Sequence, residues 1–218
     1  MPCSSILSPF LSHLPALAIL LCIAAVFKIL SSPKFKGWLG EMMVIRGGLR
    51  KLDPTLYQNF HDLYLPHPDG LGTTQIDHVV VSPFGIFVIE TKNYKGWIFG
   101  SEARPKWSQQ IYHRKSTFQN PLRQNLLHVR ALMNFLGLPE NRFHPVVFFV
   151  GDCEFKTPMP ANVLNKDLLP WIQNHHAPAL GPATLQRALS CLDELKRTTN
   201  RREAARNHLQ ALKARKVA

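Results

Sequence analysis

The sequence predicts an α/β domain, one mixed β-sheet flanked by helices, preceded by one N-terminal transmembrane helix. Three observations carry this. The periodicities run α, β, β, β, β, α, β, α, the order of a mixed sheet covered by helices. Val79–Val81 and Ile86–Ile89 are two fully apolar runs separated by Ser-Pro-Phe-Gly, the pattern of a buried hairpin. Residues 1–27 contain no Asp, Glu, Lys or Arg, and 14–27 (LPALAILLCIAAVF) are continuously apolar.

The first element is the apolar segment. From Ile6 to Leu30 the chain is long enough to cross a hydrocarbon core of ~30 Å as one helix. A cleaved signal peptide would need a basic start, which Met1–Ser5 lacks. Lys28, Lys34, Lys36 and Arg46 follow the segment, so the excess of positive charge places the C-terminal side in the cytoplasm. The expected topology is single-pass in the cytoplasmic membrane, with the domain facing the cytoplasm. Ser31-Ser32-Pro33 closes residues 1–33 as anchor and linker, 34–180 form the domain, and 181–218 form a basic C-terminal helix.

Within the domain, Gly37–Leu52 reads as a helix that ends near Gly47-Gly48, and Phe60–Leu65 as a strand. After the hairpin, GWIFGSE and PKWSQQIYH are two short extended pieces that run out into polar loop sequence. Asn120-Pro121 is a helix start, with Asn120 as N-cap and Pro121 at the first helical position. The helix that follows repeats Leu122, Leu126, Val129, Met133 and Leu136 on one side. HPVVFFVGD is a buried strand, NKDLLPWIQNHH a short helix interrupted at Pro170, and the tail from Pro182 one long helix.

The 218 residues are 45% hydrophobic, enough for a single core, and the formal net charge is +12 with a pI near 9.9. Such a balance favours a polyanionic partner, nucleic acid or an anionic lipid surface. Cys3, Cys22, Cys153 and Cys191 form no C-x-x-C pair, which disfavours a zinc ribbon or a disulfide framework.

The charges at the ends of the apolar hairpin need a reason, because a buried charge is costly without compensation. Alternation in a strand puts Glu90 and Lys92 on one face and Thr91 on the other. The hairpin brings Asp77 beside Glu90, so two carboxylates and one ammonium converge. Carboxylate oxygens with a backbone carbonyl, that of Thr91, suit a hard divalent cation, Mg²⁺ or Mn²⁺. The bland alternative is that Asp77 caps a turn while Glu90 and Lys92 form an exposed ion pair.

The blocks GWLGE, QIDHVVVSPFGIFVIETKNYKGWIFG, KWSQQ and QNPLRQNLLHVRAL, in this order from about Lys36 to Leu138, resemble the nuclease-related domain (NERD) family of the PD-(D/E)XK nuclease-like superfamily. The resemblance implies a restriction-endonuclease-like core and metal-dependent phosphodiester cleavage. It implies that Asp77 and Glu90 are metal-binding carboxylates and Lys92 the catalytic lysine. It also implies that Glu41 is a helix-borne carboxylate completing the site, and Gln124 a catalytic-site glutamine near metal or phosphate. Glu41 reads equally as a solvated first-turn carboxylate, and Gln124 as an inward hydrogen-bonding side chain.

Lys95, Arg114, Lys115 and Arg123, with Arg104 and Lys106, form a candidate track for nucleic-acid phosphates. Trp97 and Trp107 are either base-stacking residues or core. The basic tail, from Lys196 to Lys216, would grip DNA, lie on an anionic membrane, or form a solvated face. Three functions stand side by side at this level: a membrane-anchored metal-dependent nuclease acting on DNA, a membrane-tethered DNA-binding module that keeps the fold without cutting, and a membrane-associated scaffold whose basic tail binds lipid.

Overall fold

The computed structural model describes residues 8–70 and 72–217, with side chains omitted at 8–16, 33–34, 46 and 213–217. The start of the predicted span at Ile6, the loop residue Leu71 and the side chains of Lys34, Arg46, Lys213, Arg215 and Lys216 therefore lie outside the described residues. The chain divides into two compact units, residues 1–39 and 40–218.

The first unit contains helix α1 (Ser8–Leu30). Its described side chains are apolar all round apart from Lys28 in the last turn, with Ile19, Leu20, Leu21, Ile23 and Phe27 all exposed. Among the described residues no single helix is long and apolar enough to cross a membrane. Helix α2 (Pro33–Gly47) starts in the first unit and ends in the second, followed by a 3₁₀ turn at Leu49–Lys51.

The second unit is mixed α/β with two mixed sheets where the sequence predicts one. The first sheet has the order β1 (Gln58–Pro66), β2 (Thr73–Ser82), β3 (Gly85–Lys92), β7 (Phe143–Phe149) and β9 (Val163–Leu164). β1, β2 and β3 are antiparallel neighbours, and β7 and β9 continue parallel to β3. β3 is buried on both faces, as its unbroken apolar run requires. Ile86 and Val88 face a core with helices α3 (Pro121–Leu136) and α5 (Pro182–Thr198). Phe87 and Ile89 face the opposite core, with Val44 of α2 and Leu168 and Ile172 of α4 (Leu168–Gln173).

The second sheet has the order β6 (Arg114–Gln119), β5 (Lys106–Ile111), β4 (Gly96–Phe99) and β8 (Cys153–Phe155). Its existence corrects the reading of Arg114–Gln119 as loop. RKSTFQ is almost wholly exposed, so no buried alternation marks it, and its strand state comes from pairing with β5. β8 and β9, three and two residues long, are below any sequence period.

Two helix readings are also corrected. Pro170 does not interrupt α4: the helix starts at Leu168, so Pro170 sits in the first turn, where its missing N–H has no acceptor to lose. The tail is two helices, α5 and α6 (Arg201–Val217), separated at Thr199-Asn200. Thr199 is extended, and Asn200 begins the next helix by accepting from the Glu203 and Ala204 N–H groups. Asn200 with Glu203 three residues on has the spacing of an N-cap and N3 pair, a signal present in the sequence.

Candidate active site

The site forms where β3 runs out between its neighbours. The last β2–β3 pair is His78 with Ile89, so the next position sets Asp77 opposite Glu90. Asp77 replaces the backbone ladder there: its Oδ2 accepts the Thr91 N–H at 2.8 Å. On the other side of β2 the ladder with β1 skips the Asp62–Asp77 position, where Asp62 adopts a left-handed backbone with φ 54°. Ile76 and Val79, three apart, consequently face the same core. A regular strand would set them on opposite faces, and the break between them turns Asp77 toward Glu90.

Glu90 and Lys92 share the face toward α3, as alternation predicts. The Lys92 ammonium pairs with Glu90 Oε1 and donates to Gln124 Oε1 at 3.0 Å. The second Glu90 oxygen lies 2.9 Å from His128 Nε2. An ionised carboxylate only accepts, so His128 donates, and its Nδ1 meets the Thr74 hydroxyl at 2.9 Å. Glu90 is 1% exposed, so both its oxygens need the partners they have.

Two asparagines fix α3 over the strand ends. Asn125 Nδ2 donates to the carbonyls of Val88 and Val146, both at 3.0 Å, tying the helix to β3 and β7 at once. Asn120 caps the helix by accepting from Leu122 N–H, and its amide donates to the Ser101, Glu102 and Arg104 carbonyls. Asn120 is thus structural, buried and fully used. The buried face of α3 runs Pro121, Asn125, His128, Val129, Leu132 and Leu136, while Leu126 is exposed. It is rotated from the face the leucine spacing predicts, because polar Asn125 and His128 are the residues turned inward.

Glu41 arrives from α2. A Cβ on Gly40 would stand 2.7 Å from the Asn93 Cβ and 3.1 Å from a Val150 methyl. The glycine therefore lets the helix press onto the ends of β3 and β7, which carries the next residue, Glu41, to the site.

The electrostatics separate the three carboxylates. Glu41 is pushed up to about 7 by burial, then by Asp62 and Glu90, against the smaller pull of Arg201 and Lys92. Asp77 is raised well above the usual carboxylate range by burial and by the neighbouring Glu90 and Glu41. Glu90 goes the other way, to about 2: burial opposes its charge, but Lys92 and His128 together outweigh it. Burial would also strip the Lys92 proton, yet Glu90 and Asp77 hold it above the ordinary lysine value. One protonated lysine thus faces more carboxyl groups than it can neutralise, so Glu41 and Asp77 hold their protons more tightly than usual, an arrangement typical of functional sites.

The structure therefore brings together Asp77, Thr91, Glu90, Lys92 and Gln124, with Glu41 close enough to feel both carboxylates. Four of the six basic residues read as a phosphate track make their contacts elsewhere or sit on other elements. Arg123, in the first turn of α3, donates to the Ala103 carbonyl at 2.8 Å. Lys115 on β6 lies 5.9 Å from the Phe99 ring centre; Arg114 starts the same strand and Lys95 precedes β4. The sequence reading missed His128, Asp62 and Arg201. His128 had a signal, since it lies one helical turn after Gln124. Asp62 had none, because its role depends on a left-handed backbone.

Among the described residues no three His, Cys, Asp or Glu side chains form a ready-made metal cluster. The donors at this site are all oxygen and suit a hard cation rather than a soft one. Val150 N–H bonds the Lys92 carbonyl, so the backbone of Lys92 faces β7 and that of Thr91 faces Asp77. In an extended strand the N–H and C=O of one residue point the same way, and the Thr91 carbonyl joins the carboxylate side.

A model of the nuclease-related domain family, NERD, matches residues 36–150. The chain belongs to the nuclease-related domain family. The match takes in Glu41, Asp77, Glu90, Lys92 and Gln124 and leaves α4, α5 and α6 outside it. The chain is 50% identical over 102 residues to an uncharacterized protein of Bacillus anthracis, a stretch that covers 46% of each. It thus spans about half the length of that relative. No solved structure matches the chain.

Proposed function

We propose that this nuclease-related domain protein is a nuclease that hydrolyses phosphodiester bonds of DNA with Mg²⁺ or Mn²⁺, tethered to the cytoplasmic membrane by its apolar N-terminal helix. The observation that carries this reading is the Lys92 ammonium, fixed between Glu90 and Gln124 beside carboxylates that raise one another's pKa. A buried ion pair is a weak device for stability. Placed at a strand end beside two carboxyls with raised pKa values, it is well suited to chemistry.

Glu41, Asp77 and Glu90 would hold the cation, with the Thr91 carbonyl. Bound there, it offsets charge on the phosphoryl oxygens and lowers the pKa of a water. Lys92 stays protonated, so it serves as a fixed charge and donor toward a phosphate oxygen or the attacking water, not as a base. Gln124 orients that ammonium through its Oε1, and His128 keeps Glu90 ionised by donating to its second oxygen. Glu41 must release its proton to act as a ligand, which couples cation binding to pH near neutrality.

The test is cleavage of linear and circular DNA by the full chain in mild detergent, with Mg²⁺, Mn²⁺ or EDTA, beside Asp77→Ala. Metal-dependent cutting lost in the variant supports the reading. Retention of DNA by a folded chain that never cuts would replace it with the non-catalytic binding module.

A further inference from the structure

We propose that the groove beyond the ends of β3 and β7 binds unpaired nucleotides, with the Trp97 and Tyr112 rings as stacking surfaces. Its substrate class rests on the nuclease reading of the β3 site. The groove, about 620 Å³, is lined by Lys95, Trp97, Gln110, Tyr112, Asp152 and Glu154 among others. Two chain connections join it to the site: Lys95 lies three residues after Lys92, and Asp152 two residues after Val150. A strand of nucleic acid leaving the carboxylate centre along either connection would be led toward this groove.

The two tryptophans that the sequence leaves undecided are resolved in opposite ways. Trp107 is 1% exposed and stacks in the core on Phe149, its N–H donated to the Ser101 carbonyl. Trp97 is 46% exposed, with the Lys156 ammonium 4.8 Å from its ring centre. Across the sheet, Trp97 is paired with Gln110 of β5, and Tyr112 follows at the tip of the β5–β6 hairpin.

Tyr112 is the less expected of the two. It is 90% exposed and adopts a left-handed backbone with φ 51°, held by a bond from the Gln110 amide to its carbonyl at 3.1 Å. That conformation favours Gly or Asn, and an aromatic there is strained. The ring recovers nothing from packing, so folding gives no reason for an aromatic at this tip. Strain of this kind gathers where a ligand is met.

Charge and shape select the unpaired form. Residues 95–119 carry Lys95, Arg104, Lys106, Arg114 and Lys115 against a single carboxylate, Glu102, which suits a phosphate backbone. The groove itself carries the Asp152 and Glu154 carboxylates, the latter bonded to Lys156 at 2.6 Å. These would repel the phosphates of a duplex laid across them, yet can accept from the exocyclic amines of exposed bases. Aromatic stacking likewise requires free base faces.

The test is fluorescence anisotropy of the full chain in EDTA, where nothing is cut. The probes are a labelled single strand of about 20 nucleotides, longer than one binding site, and its duplex. The expected result is tighter binding of the single strand, with Trp97→Ala and Tyr112→Gly each weakening it about five- to a hundredfold at an unchanged salt slope. Trp97→Phe retains most of the affinity, and Tyr112→Gly melts no lower than the native chain because it relieves the strained backbone. Unchanged single-strand affinity in both variants, equal losses on the duplex, or no single-strand binding by the native chain would overturn the proposal. Cleavage with Mn²⁺ is measured separately. Its absence, with these binding losses intact, would defeat the nuclease reading and leave the stacking groove standing.

Discussion

In the five-stranded sheet, Glu90 and Lys92 are charges held inside the fold, each with named partners; in the four-stranded sheet, Lys106, Arg114 and Lys115 stand exposed. Buried charges must be fully satisfied, so their geometry is fixed by α3 through Asn125 and Asn120. Exposed charges on a polar hairpin are free to follow a ligand. A second division runs within the four-stranded sheet itself, Trp107 filling a core and Trp97 facing a groove. On the proposed reading, chemistry that needs fixed distances would sit on the five-stranded sheet, and binding that must adapt to a long polyanion on the four-stranded one.

The largest effect expected from breaking this contrast is at Lys92. Lys92→Met should lower cleavage about 10²–10³-fold, as loss of a preorganised charge does. By leaving Glu90 buried without its main counter-charge it should also cost about 3–5 kcal/mol of stability. The double variant Glu90→Gln with Lys92→Met removes both charges and should recover most of that stability but none of the activity. Urea unfolding and cleavage rates separate the two effects.

The tryptophans sharpen the comparison further. Trp107→Ala empties a core site and should cost about 3–5 kcal/mol, whereas Trp97→Ala should change stability by no more than about 0.5 kcal/mol. Equal destabilisation by both would mean that the four-stranded sheet packs as tightly on its groove side as on the side that faces the core. His128→Ala, which strands the buried Glu90 Oε2, should fall between them at about 1–3 kcal/mol.

A smaller effect follows from Glu41. Its carboxyl binds a proton more tightly folded, at about 7, than at the ordinary 4.5. Between those values the folded state holds more protons, so stability falls as pH rises, with Asp77 acting in the same direction. Glu90 has the opposite sign, and its contribution is lost only as pH drops from 4.5 toward 2. Relative to Glu41→Gln, the native chain should therefore lose melting temperature as pH rises from 4.5 to 8 in EDTA, a difference that removes the opposite contribution of the buried, neutral His78, and Mn²⁺ should offset that loss. The smallest effect is at the surface: Lys115→Ala should reduce the salt slope of DNA binding by about 1 and leave cleavage at saturating DNA unchanged.

The hairpin, the α3 start and the convergence of Asp77, Glu90 and Lys92 were legible because alternation and capping are local properties, whereas Gln124 entered only through the resemblance to the nuclease-related domain family. The second sheet was not, since β6 is exposed on nearly every residue and gives no apolar period. Nor was the rotated face of α3, where Asn125 and His128 are buried only because Val88, Val146 and Glu90 offer them partners from distant strands. Asp62 and its ion pair with Arg201 of α6 join residues 139 apart in sequence. Contacts of that separation leave no mark on a periodicity.

If the buried lysine and carboxylates serve phosphodiester hydrolysis, the measurement to make is cleavage by the native full chain and by Lys92→Met at saturating DNA, with Mg²⁺ or Mn²⁺, alongside DNA affinity in EDTA. The account predicts that the native chain cuts and that the variant binds DNA equally well but has lost cleavage. A variant that cuts like the native chain, or a folded native chain that cuts with neither metal, would contradict it.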